Sequence, residues 1–272
     1  MTTLDDTASR FGALHRPGTP LLLPNAWDPL SARLAEDAGA AAVATTSAGV
    51  AWVLGAADGD HIDRDSVLAL TRRVVAAVDV PVSADVESGF GATPDDVGAT
   101  IDGVLAAGAV GVNIEDVHPD DPSALRDPGE QAERLAAARA AAGASFFLNA
   151  RIDTYLRSVG DPSSRFADTV ARARTYLEAG ASGVFVPGVV DLPTVTRLAA
   201  EIDGPLNVLA GAGAPPVGEL AAAGVARISL GSSVAAAAYA VARRAARELL
   251  EDGTYTSLEG GLDYGEVNAL MS

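Results

Sequence analysis

Hydrophobic positions in this chain fall into short apolar runs separated by longer stretches with helical spacing. Apolar runs of roughly four to eight residues are typical of buried strands, and apolar residues at i, i+3 and i+4 indicate helices. Several predicted helices end in a glycine that leads directly into the next apolar run, as at 36–39, 106–108, 178–180 and 222–224. The pattern therefore predicts strands and helices that alternate along the whole chain.

The alternation defines a fold class. Strands are predicted at 19–25, 40–46, 80–87, 109–116, 145–151, 183–186, 205–209 and 225–230. Helices are predicted at 26–39, 64–78, 94–107, 130–142, 164–179, 192–201 and 232–251, before a polar tail. Such alternation with short connections indicates a parallel sheet, and about eight units indicate an α/β protein of the (β/α)₈ or TIM-barrel class. We expect one domain over 1–272.

A doubly wound open sheet is the alternative fold. No GxGxxG pattern follows the first predicted strand, which counts against a dinucleotide-binding version of that fold.

Length, apolar content and net charge limit the size of the fold, the location of the protein and its partners. A chain of 272 residues with 49% hydrophobic content is long enough for one barrel with a full core. No apolar run approaches the roughly 20 residues that span a bilayer, and the first residues lack a signal-peptide pattern, so we expect a cytoplasmic protein. The net charge of −17 argues against nucleic acid or an anionic membrane as a partner.

The missing residue types limit the chemistry. The chain has no cysteine, and all 19 basic residues are arginine. Thiolate nucleophiles, lysine Schiff bases and the P-loop lysine are therefore excluded. The three histidines, His15, His61 and His118, are too widely spaced to suggest a zinc site. Carboxylates remain, and they favour hard cations such as Mg²⁺ or Mn²⁺.

Acidic residues cluster at the predicted ends of the third and fourth strands. Residues two apart in a strand point to the same side, so Asp85 and Glu87 should project together, as should Asn113 and Glu115. Because chemistry in (β/α)₈ barrels lies at the carboxyl ends of strands, these acids could surround one cation. We expect Asp85 to bind it directly and Glu87 and Glu115 to act mostly through water. The alternative is a pair of exposed acids in a loop.

One arginine ends the fifth predicted strand. Arg151 would present its planar guanidinium to a substrate carboxylate. The alternative is that Arg151 serves as the counter-ion of Glu115.

Four segments carry a resemblance to a known family. They are PNAWDPLSARLAEDAGAAAVATTSAGVAWVLGAADGD, VPVSADVESGFG, VGVNIEDV and LNARIDTYL. With them the chain resembles the isocitrate lyase/phosphoenolpyruvate mutase superfamily over nearly its full length, and specifically its Cys-less, phosphonomutase-like branch. The resemblance implies a (β/α)₈ barrel, Mg²⁺ and a small-molecule 2-oxo acid substrate. It also implies a homotetramer, a dimer of dimers with swapped C-terminal helices, in which 232–272 packs on a neighbouring subunit.

The resemblance also implies roles for individual residues. Asp58 would join the metal site through water, and Asp58 and Arg151 would both be catalytic. The implied metal ligands are Asp85, Glu87 and Glu115, and the implied substrate-binding residues are Thr46, Ser47, Ala48, Asn113 and Arg151.

The loop after the fourth predicted strand departs from the family pattern. Carbon–carbon lyases of the family carry Lys-Lys-Cys-Gly there, whereas this chain reads VHPDDPSALR at 117–126. Pro122-Ser123-Ala124-Leu125 partly matches the Asn-Ser-Leu of members that handle phosphonopyruvate. His118 or Ser123 is the best candidate to donate a proton or accept a group. The alternative for His118 is an exposed loop residue.

These features lead to a hypothesis about function. The protein would break or move a C3–C or C3–P bond of a small 2-oxo acid, or of its 2-hydroxy parent, through an enolate stabilised by the metal. A phosphonopyruvate or carboxyphosphoenolpyruvate phosphonomutase is one alternative, and a barrel that binds a 2-oxo acid without catalysis is another. A metal-dependent aldol-type enzyme from a different barrel family is a third.

Overall fold

The strands and helices alternate as predicted in a computed structural model that describes residues 3–59, 61–118 and 121–272. The strands are β1 (Leu21–Leu23), β2 (Asn25–Ala26), β3 (Val43–Thr45), β4 (Val82–Asp85), β5 (Gly111–Glu115), β6 (Val117–His118), β7 (Asp121–Leu125), β8 (Phe147–Arg151), β9 (Gly183–Val186), β10 (Leu206–Leu209) and β11 (Arg227–Ser229). The helices are α1 (Leu4–Gly12), α2 (Pro29–Asp37), α3 (Ser47–Val53), α4 (Arg64–Ala77), α5 (Pro94–Ala107), α6 (Pro128–Ala142), α7 (Arg165–Glu178), α8 (Leu192–Glu201), α9 (Val217–Ala222), α10 (Ser233–Glu251) and α11 (Tyr264–Leu270), with a short 3₁₀ helix at Thr256–Leu258.

Nine of these strands form one parallel sheet in the order β1-β11-β10-β9-β8-β5-β4-β3-β2. The two ends of the sheet, β1 and β2, follow each other directly around Pro24, so the first predicted strand is one strand in two pieces. β1 pairs with β11 and β2 pairs with β3, which closes the sheet into a ring of eight strand positions. The prediction of a (β/α)₈ barrel is therefore confirmed.

The glycines at the predicted helix ends have positive φ values. Gly39, Gly108, Gly180 and Gly224 have φ values of 91°, 89°, 104° and 91°. Only glycine adopts this left-handed region without steric cost, so each residue reverses the chain from a helix into the next strand.

Three predicted irregular segments contain regular structure. Residues 47–53, which lie between the second predicted strand and the next predicted helix, form α3. The polar segment after β5 contains an antiparallel hairpin of β6 and β7, and α11 lies in the predicted polar tail. Pro119 and Asp120, within the predicted loop, lie outside the described residues. These elements are too short to show a clear hydrophobic period.

Aromatic side chains close the amino-terminal end of the barrel. Phe11 on α1 is fully buried, and the His15 ring stacks on Phe147 with 3.7 Å between ring centroids. Burial, together with the charge of Arg227, lowers the pKa of His15 to about 3, so this histidine is neutral at physiological pH. Packed rings therefore fill the amino-terminal end of the barrel, so a binding site is expected at the opposite, carboxyl-terminal end.

The last long helix, α10, leaves several large apolar side chains exposed to solvent. Among the residues of α10, Ala235 is buried, whereas Val234, Tyr239, Val241 and Leu249 are at least 40% exposed. One ring contact, between Trp52 and Tyr239, joins this helix to the segment after β3. In the part of the chain that the structure describes, no helix is long and apolar enough to cross a membrane.

Candidate active site

A cavity of about 200 Å³ lies at the carboxyl ends of the barrel strands. Seven residues that the sequence analysis assigned to the site line it, namely Thr46, Ser47, Ala48, Asp58, Asp85, Asn113 and Arg151. A larger cleft of about 680 Å³ lies between the start of α4 and the turn after β4, and it shares no lining residue with the smaller cavity. We place the candidate site in the smaller cavity because it collects the predicted side chains.

Asp85 is the central acid of this cavity. It is the last residue of β4, and its two carboxylate oxygens accept hydrogen bonds from the backbone N–H groups of Ser47, at 3.2 Å, and Glu87, at 3.3 Å. Burial raises the pKa of Asp85, and Arg151 opposes this rise. A buried carboxylate with two long hydrogen bonds keeps lone pairs available and would gain from a nearby cation.

The start of α3 brings Ser47 to Asp85. Thr46 precedes the first turn of this helix, and α3 lies so close to Trp27 that a Cβ atom on Gly49 would be 2.7 Å from the Cβ of Trp27. Only glycine allows this approach. The small residues of 46–49 therefore let the backbone of α3 reach the acid.

Glu87 does not continue the strand. β4 ends at Asp85, and Glu87 has a φ of +49°, in the left-handed region. The prediction that the two acids share one face of an extended strand is therefore wrong for Glu87, because alternation ends where the strand ends. Glu87 is still buried and close to the fourth strand, since its carbonyl accepts a hydrogen bond from the Glu115 N–H at 2.9 Å.

Glu115 and Arg151 form a buried ion pair. They are neighbours in register on β5 and β8, with 2.6 Å between Oε2 of Glu115 and Nη1 of Arg151. Arg151 also donates from Nε and Nη2 to the two carboxylate oxygens of Asp153, at 2.6 and 2.8 Å. Burial disfavours the charged guanidinium, but these two carboxylates raise the pKa of Arg151 above its usual value. Arg151 is therefore the counter-ion of Glu115, as the alternative interpretation of the sequence predicted. Its contact with a substrate carboxylate remains a prediction.

The oxygen donors of the site fit a hard cation that is bound mainly through water. Among residues 3–59, 61–118 and 121–272, no three acidic or histidine side chains lie close enough to hold an ion by themselves. Asp85 lines the cavity, whereas Glu87 and Glu115 are buried beside it. Mg²⁺ usually keeps several waters and takes one or two carboxylates directly, so a site with Asp85 in the cavity and two further buried acids suits it.

Two predicted residues lie elsewhere. His118 ends β6 and Ser123 lies on β7, and neither lines the cavity. Ser123 is exposed, and its hydroxyl donates to Asp121 at 2.6 Å. The hairpin therefore holds both candidate proton donors outside the cavity in this conformation.

Sequence reasoning missed much of the cavity wall. Asn25, Leu156, Phe185, Pro187, Leu209 and Ser229 also line it. Alternation along β9, β10 and β11 was the available signal, because Phe185, Leu209 and Ser229 are the inward residues near the ends of those strands.

A polar layer below the cavity was also missed. Asn149 donates to both Asn113 and Asn207, and Arg227 donates to Asn113 at 3.2 Å. Arg227 is 1% exposed, and burial lowers its pKa to about 9. Within the described residues, its Nε and Nη1 atoms have no hydrogen-bond partner. The layer places a buried positive charge below the acids.

Comparison with known proteins identifies the family. The chain matches the phosphoenolpyruvate phosphomutase family over residues 11–250 and therefore belongs to it. The wider phosphoenolpyruvate mutase/isocitrate lyase superfamily contains lyases and mutases that act on small oxo acids, which confirms the resemblance found in the sequence.

Three relatives are informative. An uncharacterized protein of Mycobacterium tuberculosis is 37% identical, with 96% of this chain and 95% of that protein covered. A crystal structure from Burkholderia cenocepacia J2315, described as a lyase/mutase, is 39% identical with a TM-score of 0.90, covering 98% and 97% of the two chains. Phosphonopyruvate hydrolase in complex with oxalate and Mg²⁺ shares the fold, at 24% identity and a TM-score of 0.84, covering 97% and 94%.

Proposed function

We propose that the chain is an enzyme dependent on Mg²⁺ or Mn²⁺ that breaks or moves a bond at C3 of a small 2-oxo acid or its 2-hydroxy parent. The main support is the cavity in which buried Asp85, the 46–48 segment and Arg151 meet. A protein of the same fold has been crystallised with Mg²⁺ and oxalate, a small diacid that resembles part of such a substrate.

Different residues would hold the cation and the substrate carboxylate. Asp85 would hold the cation, with Asp58, Glu87 and Glu115 around it through water. The cation would supply a Lewis acid for the 2-oxo oxygen when it is bound. The hydroxyl and backbone N–H groups of 46–48 would hold the substrate carboxylate.

The remaining polar side chains would orient the other end of the substrate. Arg151 is fixed by Glu115 and Asp153, so its guanidinium presents a rigid edge, and Asn113 is fixed by Asn149 and Arg227. Rigid donors of this kind lower the cost of aligning the bond that breaks. His118 or Ser123 would exchange a proton with the substrate only after the β6–β7 hairpin folds over the cavity.

The wall of the cavity favours cleavage of a C–C bond over a C–P bond. Leu156, Phe185, Pro187 and Leu209 form an apolar side, and Arg151 is the one cationic side chain among the described residues that line the cavity. A phosphonate carries up to two negative charges and needs several strong donors. An uncharged alkyl group at C3 suits the apolar wall better.

A substrate panel tests the proposed function. We expect turnover of a 2-oxo acid or 2-hydroxy diacid in the presence of Mg²⁺, loss of turnover with EDTA, and recovery when Mg²⁺ is restored. Proton and phosphorus NMR would identify the products. Turnover of phosphonopyruvate with a new phosphorus signal would support the phosphonomutase alternative instead. Saturable binding of 2-oxo acids without turnover of any panel member would indicate a binding protein.

We also propose that α10 and the tail, residues 232–272, pack on a second copy of the chain in a dimer of dimers. Val234, Val241 and Leu249 recur at intervals of seven and eight residues, so they form one exposed stripe along α10. On the outside of the barrel, Leu22 of β1 is 49% exposed beside an apolar groove of about 530 Å³. Strands of such barrels are normally covered by helices, and the partner's α10 would supply this cover.

Light scattering tests the assembly. The purified protein should have the mass of four chains at micromolar concentration, and Val241→Asp should shift it to smaller species by placing a charge in the interface. A matched substitution away from the stripe, Val217→Asp on α9, where the valine is 44% exposed, should leave the mass unchanged. A wild-type protein that is monomeric throughout this concentration range would refute the proposal.

A further inference from the structure

The turn that follows β4 has an unfavourable backbone. Glu87 and Phe90 have φ values of +49° and +52°, a region that side chains with a Cβ atom rarely adopt, and Gly89 between them has a φ of +100°. The turn also fits tightly, because a Cβ atom on Gly91 would collide with Asp96 at the start of α5. Such a conformation persists only when its surroundings hold it.

One arginine on another helix holds this turn. Arg134 of α6 is fully buried, and its guanidinium donates to three backbone carbonyls of the turn. These are Ser88 at 2.8 Å, Gly91 at 2.9 Å and Ala92 at 3.1 Å. The hydroxyl of Thr100, on α5, donates to the Gly89 carbonyl at 2.8 Å. A planar guanidinium with several donors can hold several carbonyls at once, which a single ammonium does less well.

The same helix face supports the neighbouring acid segment. Gln131 lies one turn before Arg134, is fully buried, and donates from Nε2 to the Glu115 carbonyl at 3.2 Å. The Glu115 N–H in turn donates to the Glu87 carbonyl, and the Glu87 N–H donates to Asp85. Helix α6 is therefore connected through hydrogen bonds to the backbone of Glu115 and Glu87 and to the carboxylate of Asp85.

We propose that Arg134 is a positioning residue that sets the geometry of the cation site by fixing the turn that carries Glu87. This inference rests on the proposed metal role of Asp85, Glu87 and Glu115. Arg134 does not line the cavity, so it acts through the backbone of the turn. Groups that orient metal-binding residues in this way typically contribute about 10- to 100-fold to metal affinity.

The chain contains a matched control on the same helix. Arg139 also donates to three backbone carbonyls, those of Gly143 at 2.5 Å, Phe146 at 2.8 Å and Gly180 at 2.8 Å. These carbonyls lie in the connections from α6 to β8 and from α7 to β9, at the opposite end of the barrel from the cavity. Removing Arg139 therefore breaks a similar number of bonds without touching the turn.

The test compares Arg134→Met, Arg134→Lys and Arg139→Met in the full-length protein after metal removal. Mn²⁺ affinity is measured by calorimetry, and amide hydrogen exchange is measured across residues 86–92 without metal. We expect Arg134→Met to weaken Mn²⁺ binding at least tenfold and to speed exchange in the turn, with a smaller change for Arg134→Lys. Arg139→Met should keep Mn²⁺ affinity within about twofold of wild type, whatever stability it loses.

The outcomes separate the two proposals. If the wild type binds Mn²⁺ and Asp85→Asn abolishes this binding, but the Arg134 and Arg139 variants shift affinity equally, the positioning role is wrong and the metal site stands. If the wild type does not bind Mn²⁺, the metal site and the positioning role both fail. Should Arg134→Met fail to fold, Arg134→Lys carries the comparison, because unchanged affinity and unchanged exchange in that variant would overturn the positioning role.

Discussion

Asp85→Asn should remove divalent-cation binding and lower kcat/KM by about 1,000-fold or more. Asparagine keeps the size of the side chain and one acceptor oxygen, but it removes the charge that attracts the cation. A metal that acts as a Lewis acid is worth several kcal/mol of barrier, and each 1.36 kcal/mol is a factor of about ten in rate. Calorimetric titration with Mn²⁺ and steady-state kinetics on the substrate found in the panel would measure both effects.

The stability of the metal-free protein distinguishes this effect from damage to the fold. Asp85 is buried, and burial raises its pKa, so removal of the charge should leave the unfolding free energy unchanged or higher. Asp58→Asn is the matched control, because Asp58 lines the same cavity but is exposed. We expect it to reduce activity by about tenfold, as for a residue that acts through water. Metal-dependent activity at the wild-type level in Asp85→Asn would exclude Asp85 as a ligand.

The sequence was enough to predict that the site residues come together in the fold, because this follows from local signals that repeat along the chain. Glycine at positions such as Gly108 and Gly180 marks each passage from helix to strand, and alternation then predicts a parallel barrel. In a parallel barrel all carboxyl strand ends lie at one rim. This is why residues as distant in sequence as Ser47 and Arg151 were assigned to one site and line one cavity.

Features that depend on tertiary contacts could not be predicted. The backbone of Glu87 turns into the left-handed region because helices α5 and α6 hold the turn, and nothing local in the sequence indicates those contacts. Arg227 lies in the middle of a short apolar run, where a buried strand predicts hydrophobic side chains. Its place among the asparagines Asn113 and Asn207 depends on three strands that meet only in the folded barrel.

Arg151→Met should lower the unfolding free energy by about 3–5 kcal/mol, because it leaves the buried carboxylate of Glu115 without its paired cation and leaves Asp153 with Arg157 in place of two arginines. Methionine keeps most of the apolar stem of arginine, so the change reports mainly the lost charge. Urea unfolding of the metal-free protein at neutral pH would measure it. Substrate affinity should fall as well, since the proposed contact with the substrate is lost.

Two further variants serve as comparisons for Arg151→Met. Arg157 contacts the same Asp153, with 3.1 Å between Nε and Oδ2, but it is 28% exposed, so Arg157→Met should cost less than about 1 kcal/mol. The double variant Arg151→Met with Glu115→Gln should recover part of the lost stability, because it removes the buried charge that Arg151→Met leaves without its paired cation. The recovery would show that Arg151 stabilises the fold chiefly as a counter-ion, while a persisting loss of substrate affinity in the double variant would show that it also binds the substrate. If Arg151→Met were as stable as the wild type, the ion pairs around Arg151 would not be what holds β5 and β8 together at the rim of the cavity.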